Sequence, residues 1–523
     1  MLDIKKIVLL CENGEVAMKK VCKKYKAEDV NLKIKDNKIL LSAENTAINK
    51  VKIIFENKYF SNDALVLGDA WERAYADLAF KSASEKRILP WYFIAKENGK
   101  IFACGVKTSP NAMCSFKVYE GDIELDLDVR NGKNPIILGG RELETCEIVT
   151  NEYECEAFDA LCDFTKLLCD NPRKVQGPIY GGNDWYCNYS KNSHAKIVQM
   201  AERIAECAGV GIEGSPASKQ TPFMVIDDGW QIAHKSTRKG DEYSYNGGPW
   251  DICNKNFDSM AETAKAISDL GVKPGIWFRP LLTRSEFPEE YLLWYDKIEN
   301  GSMLDPSHPE VLKLVSEDVK RICSWGYKLI KHDFSTYDIT LKWGAAMKEE
   351  FEARADFYDK TKTTAEIIKN FYKVIRTSAY DDVLIMGCNT VSHLSAGVFD
   401  IQRTGDDTSG FEWERVKNYG VNTLAFRLPQ HENFYQADAD CVGITTAMDW
   451  NKNRMWLDVL AKSATPLFVS IGEDAYSDDV KRDITKAFKD ITDAKKTSRP
   501  LDFEENSIPE KWESDFGTDE YKW

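Results

Sequence analysis

From about residue 175 the chain repeats one rhythm: a short apolar run ending in polar residues, a loop, then a helix-length amphipathic segment. Eight runs suit strands buried on both faces: 178–184 (PIYGGND), 222–228 (PFMVIDD), 272–278 (VKPGIWF), 327–333 (YKLIKHD), 383–389 (VLIMGCN), 398–404 (VFDIQRT), 421–426 (VNTLAF) and 465–471 (TPLFVSI). Helical patterns such as SHAKIVQMAERIAECAG, DSMAETAKAISDLG and TKTTAEIIKNFYKVIRT separate them, with Gly209 and Gly271 placed as C-caps. In HPEVLKLVSEDVKRICSWG, Ser307 and Glu310 have capping-box spacing and Pro309 sits in the first turn. Strand and helix alternating eight times predict an α/β fold, a (β/α)8 TIM barrel over 171–498, whose chemistry lies at the C-terminal strand ends.

Residues 1–170 read differently. Stretches such as NLKIKDNKILLSA and SFKVYEGDIELDLDV alternate with period two and break at Gly, Asn and Asp, which predicts an all-β sandwich preceding the barrel. Residues 499–523 form an acidic, Trp-containing tail expected to pack on the barrel. A chain of 523 residues accommodates two cores. Charge-rich MKEEFEARADF (347–357) reads as a solvated helix.

The net charge of -15 is spread along the sequence, which argues against nucleic acid and anionic membranes as partners. Fourteen cysteines lack the spacing of a disulfide scaffold and read as reduced thiols. The N-terminal stretch holds only a five-residue apolar run, too short for a signal segment, so the cytoplasm is the expected location. Six histidines occur without HxH or HExxH, so no metal or other cofactor is expected, although a carboxylate-only magnesium site competes.

The predicted strand ends carry Asp184 and Trp185; Asp227, Asp228 and Trp230; Trp277 and Arg279; Lys331 and Asp333; Cys388 and Asn389; and Arg403, Asp406 and Asp407. Carboxylates that accept hydroxyl hydrogens, interleaved with indoles that cover C–H faces, suit a small carbohydrate. Glycoside cleavage needs one ionised and one protonated carboxyl. Asp333 suits the first role, because Lys331, two residues back on the same strand face, favours its charge; His332 points the other way. Asp406 suits the second, because Asp407 crowds it. Arg403 is assigned to substrate or to Asp333. Trp277 and Trp230 suit either packing or a sugar platform.

At these residues the chain resembles the clan of retaining α-galactosidases, and glycoside hydrolase family 36 (melibiase-like) in particular. The matching stretches are VIDDGWQ (225–231), LGVKPGIWF (270–278), MLDPSHPEV (303–311), WGYKLIKHDF (325–334) and RTGDDTSG (403–410), with DAWERAYADLAF (69–80) and PWYF (90–93) in the N-terminal domain. The resemblance implies Asp333 as nucleophile, Asp406 as acid/base, and Asp227, Asp228 and Lys331 as contacts to sugar hydroxyls. It implies Trp185 as a pocket aromatic and Trp71 or Trp91 as a lid from the sandwich.

Two departures stand out: GCNTVSHLSAGVFD (387–400) replaces the family's Cys- and Gly-rich loop that reads the C2 substituent, and only 472–523 follow the eighth strand where the family has a C-terminal β-domain. The expected activity is that of a retaining exo-α-glycosidase on terminal α-galactosyl or closely related residues. An α-N-acetylgalactosaminidase, a galactosyl transglycosylase, a Schiff-base aldolase using Lys331 and a non-catalytic sugar-binding protein are the alternatives; self-assembly as a homo-oligomer stays open.

Overall fold

The computed structural model describes residues 2–12, 14–119, 121–232, 234–235, 243–244, 247–293, 301–347 and 350–523. The N-terminal region builds two antiparallel sheets of seven and nine strands. The segment Asp122–Asp128 shows why: Ile123, Leu125 and Leu127 are buried and the acidic residues between them face outward. The chain passes from one sheet (Ser84–Pro90) to the other (Tyr92–Glu97) through Trp91, whose φ of 68° turns the backbone. Phe93 and Phe116, one from each sheet, meet edge-on with centroids 5.5 Å apart.

A connecting helix, Ala157–Leu168, leads to a parallel sheet whose neighbours run Gln436–Asp438, Ile401–Arg403, Leu384–Gly387, Leu329–His332, Lys273–Phe278, Phe223–Ile226, Tyr180–Asn183, Leu467–Ile471 and Val442–Ile444. Every pairing in it is parallel. The two outermost strands, 436–438 and 442–444, are separated by residues 439–441 alone. Amphipathic helices His194–Ala208, Met260–Asp269, Pro309–Ser324, Thr364–Ser378, Trp450–Lys462 and Asp478–Asp493 intervene between strands or follow the last.

Gly209 closes the first of these helices in the left-handed conformation (φ 68°), and Gly271 (φ 74°) follows the second. The capping box falls at Thr363 and Glu366, not at Ser307 and Glu310. Ser307 bonds Asp305 instead, and the His308 ring caps the helix that begins at Pro309.

Two element predictions are corrected. Residues 421–426 are not the seventh strand: Asn422–Arg427 is a wholly buried helix, and the strand partners of Ile401–Arg403 and Leu467–Ile471 come from 436–444. Residues 350–357 of the expected solvated helix are not helical; Phe351, Ala353, Ala355 and Phe357 are buried at alternate positions, and Lys133 N–H donates to the Ala355 carbonyl (2.9 Å). Residues 348–349 lie outside the described residues.

The C-terminal segment forms a three-stranded sheet (Arg499–Pro500, Lys511–Ser514, Gly517–Glu520) with Trp512 buried in it. Phe503 packs against Phe80, Phe158 and Phe426, so this sheet touches both larger regions.

Candidate active site

The fourth parallel strand ends at His332, and Asp333 follows at the sheet's C-terminal edge. One Asp333 oxygen accepts the Trp277 indole N–H (3.0 Å) and the other accepts the backbone N–H of Phe334 (2.7 Å). Phe334 has a φ of 65°, a strain of about 1–3 kcal/mol for a non-glycine residue. Its ring lies 4.0 Å from the Arg279 guanidinium, itself paired with buried Asp338. The backbone thus turns sharply after Asp333 and both carboxylate oxygens are fixed. His332 faces away among Phe278, Phe371 and Phe399, and burial pushes its pKa down to about 3.

Lys331 does not turn to Asp333. Its Nζ lies 2.6 Å from Asp227 Oδ2 at the end of the second strand. Burial opposes the ammonium charge, but Asp227 and neighbouring groups outweigh it and hold Lys331 well above the usual lysine range. Asp227 Oδ2 also accepts from Asn183 Nδ2 (2.7 Å), its Oδ1 accepts the Asp228 N–H (2.9 Å), and its own N–H donates to Asp184 Oδ1 (2.7 Å). Burial pushes Asp184 up to about 6. Asp228 accepts from Ser190 Oγ (3.1 Å) and Gln231 Nε2 (2.5 Å). A lysine with such a partner stays protonated and is a poor Schiff-base nucleophile.

At the sixth strand, Arg403 is fully buried and turned to Asp440 (2.9 Å) and Asp407 (3.3 Å) rather than to Asp333; it also donates to Cys388 Sγ (3.4 Å). Burial, with Asp333 nearby, pushes the Cys388 thiol up. The crowding anticipated between Asp406 and Asp407 is relieved by Arg73 of the N-terminal region. One Arg73 nitrogen lies 3.2 Å from Asp406 Oδ1 and the other 3.2 Å from Asp407 Oδ1. Asp407 is lowered from the usual carboxylate range: burial pushes it up, and Arg73 and Arg403 more than reverse this. Arg415 approaches the second Asp406 oxygen (3.3 Å). Gly405 precedes this pair because a Cβ there would meet the Tyr419 carbonyl oxygen at 2.1 Å.

The remaining predicted residues divide. Trp185 is half-buried, its ring 5.3 Å from Tyr189. Trp230 has no exposed surface and donates its indole N–H to the Trp277 carbonyl (2.8 Å), so it backs Trp277 instead of offering a sugar platform. Asn389, also fully buried, donates to Glu72 and accepts the Tyr337 N–H (3.1 Å). Neither Trp71 nor Trp91 forms a lid: both are interior, edge-to-face with one another, and Trp91 stacks on His393.

Sequence reasoning missed Glu72, Arg73, Asp438 and Asp440, whereas Asp184 stands at the strand end where it was expected. The first two stand inside DAWERAYADLAF, where two charged residues beside a buried tryptophan were the available signal. Among the described residues, no cluster of His, Cys, Asp or Glu is arranged to hold a metal ion.

No family model matches the chain. Its structure is similar to an α-galactosidase from Thermus thermophilus in complex with p-nitrophenyl α-D-galactopyranoside (TM-score 0.61, 16% identity, 99% of each chain covered). It is similar to a GH36 α-galactosidase from Geobacillus stearothermophilus (TM-score 0.59, 14% identity, 97% of this chain and 78% of that one). The galactosidase domain of an α-galactosidase-sucrose kinase matches as well (TM-score 0.61, 15% identity, 98% and 78%). This chain therefore shares the fold of GH36 α-galactosidases.

Proposed function

We propose that the protein is a retaining exo-α-glycosidase that releases terminal α-galactosyl or closely related residues. The observation that carries the reading is Asp333, both of whose oxygens are fixed at a parallel strand end within the same charged cluster as Lys331, Cys388 and Arg403. The parallel strands are read as a closed (β/α)8 barrel in which 436–444 is one bent seventh strand, its halves pairing with opposite neighbours.

In the first step an Asp333 oxygen attacks the anomeric carbon, the glycosidic C–O bond breaks, and Asp406, whose role rests on its match to the family's acid/base position and not on crowding by Asp407, gives its proton to the leaving oxygen. In the second, Asp406 takes a proton from water, whose oxygen displaces Asp333 from the sugar with net retention. Asp227, Asp228 and Lys331 contact sugar hydroxyls, Trp277 supports the nucleophile, and Cys388 belongs to the 387–400 segment that stands where the family reads the C2 substituent. Galactose is favoured because solved proteins of this fold carry that activity and were captured with a nitrophenyl galactoside and stachyose. A reducing compartment such as the cytoplasm suits fourteen unpaired cysteines.

Aryl α-glycosides of galactose, N-acetylgalactosamine and glucose, together with an aryl β-L-arabinopyranoside, test the reading when the anomer released first is followed by NMR. The α-galactoside should be turned over, with α-galactose appearing before mutarotation. First release of β-galactose, or no turnover of any of the four by folded protein, overturns it.

A further inference from the structure

The N-terminal sheets do more than stand beside the parallel domain. Ala74 pairs with Gly405 as a parallel bridge: its N–H donates to the Thr404 carbonyl (2.9 Å) and its carbonyl accepts the Asp406 N–H (3.1 Å). The backbone on both sides of Gly405 is therefore held by a segment from the other domain. The residue before the bridge is Arg73, whose side chain is 6% exposed. Its guanidinium lies 5.3 Å from the Trp343 ring and 5.9 Å from that of Tyr75, so its plane is fixed by aromatic faces. Beside it, Glu72 accepts from Asn389, from Tyr75 and from the Gly344 N–H (2.7 Å), tying the same segment to the end of the fifth parallel strand and to the loop that follows the fourth.

A forked cation with one nitrogen on each of two adjacent carboxylates does what a lysine in its place would not: it fixes the angle between them. We propose that Arg73 is a positioning residue for Asp406, so that the N-terminal domain is part of the catalytic apparatus. This rests on the reading of Asp406 as the acid/base. Arg73 acts through Asp406 and does not itself exchange a proton. Its contribution is confined to substrates whose leaving oxygen needs one.

The test compares kcat/KM, which reports the glycosylation step, for two substrates of one preparation. One is a galactosyl disaccharide with an alcohol leaving group; the other is 2,4-dinitrophenyl α-galactoside, whose phenolate departs unprotonated. General acid catalysis contributes about 10²–10⁴-fold. Arg73→Met should lower kcat/KM by about 10²-fold on the disaccharide and by less than about threefold on the activated substrate, with Arg73→Lys intermediate. The ratio between substrates is independent of the fraction of protein folded, so partial misfolding cannot imitate the result.

Arg141→Met, which removes another contact across the same interface (Arg141 to Glu366, 2.8 Å), controls for loosened docking and should leave the ratio unchanged. An equal loss on both substrates, no loss on either, or the same ratio change in Arg141→Met overturns the proposal. Failure of the wild-type protein to cleave either substrate refutes the functional reading instead.

Discussion

Arg427 is the clasp that holds the 69–74 segment in place, and its removal has a pH signature. Its Nε and Nη2 reach Asp69 Oδ1 (2.9 and 2.8 Å), Nη1 donates to the Thr404 carbonyl (3.0 Å), and Nη2 donates to the Ala70 carbonyl (3.2 Å). Both side chains are fully buried, and Gln430 donates to the other Asp69 oxygen (2.9 Å). Burial raises the Asp69 pKa and Arg427 partly offsets this. Arg427→Met keeps the apolar stem and abolishes the offset, leaving a buried carboxylate unpaired, at a cost of about 3–5 kcal/mol.

The sign follows from linkage. With its folded pKa raised further, Asp69 binds its proton more tightly folded than unfolded, so stability falls as pH rises from the unfolded value of about 3.9 through the folded one, by about 1.4 kcal/mol per unit. The charge component of the loss is thus limited to about 1.5 kcal/mol at pH 5 and is larger at pH 8. Urea unfolding followed by tryptophan fluorescence at both pH values measures it. Asp69→Asn combined with Arg427→Met removes the stranded charge and should recover about 2 kcal/mol or more at pH 8 relative to Arg427→Met alone. A pH-independent loss, or a double variant no more stable than the single one, refutes the reasoning.

Asp333→Ala should lower kcat on an aryl α-galactoside by about 10⁴-fold or more, and azide should restore turnover with a β-configured galactosyl azide as product; near-normal activity would end its assignment as nucleophile. His332→Leu removes an imidazole that stays neutral when folded (pKa about 3) yet protonates when unfolded below about 6.5. The variant should therefore gain about 2 kcal/mol of stability at pH 5 relative to its effect at pH 7, measured by urea midpoints, with catalysis unchanged. Gly405→Ala forces a methyl against the Tyr419 carbonyl and should cost about 1–3 kcal/mol while lowering disaccharide turnover, because the bridge to Ala74 must shift; wild-type melting and kinetics would contradict the close packing at Gly405.

What the sequence disclosed follows from where polar residues interrupt apolar runs. Asp227, Lys331 and Asp333 stand out because an interior strand has no reason to end in charge, and the structure gathers them at one edge of the sheet. Runs that are apolar for another reason mislead. VNTLAF is apolar because its helix is buried on every side, and so short a run carries no period to tell helix from strand. The two strands that pair there were hidden by the opposite defect: in QADADCVGI, Asp438 and Asp440 are buried carboxylates, which look like a loop until Arg403 is known to lie beside them. Residues 350–357 fail similarly, since their charges mask a period-two burial set by the N-terminal sheets.

Arg73 marks the deeper boundary. An arginine near an acid pair more than three hundred residues away leaves no local trace. Its partner is decided by the bridge between Ala74 and Gly405, which joins the N-terminal region to the end of a parallel strand. Local pattern therefore identifies the groups a strand end presents, whereas their orientation depends on contacts between the N-terminal sheets and the parallel sheet.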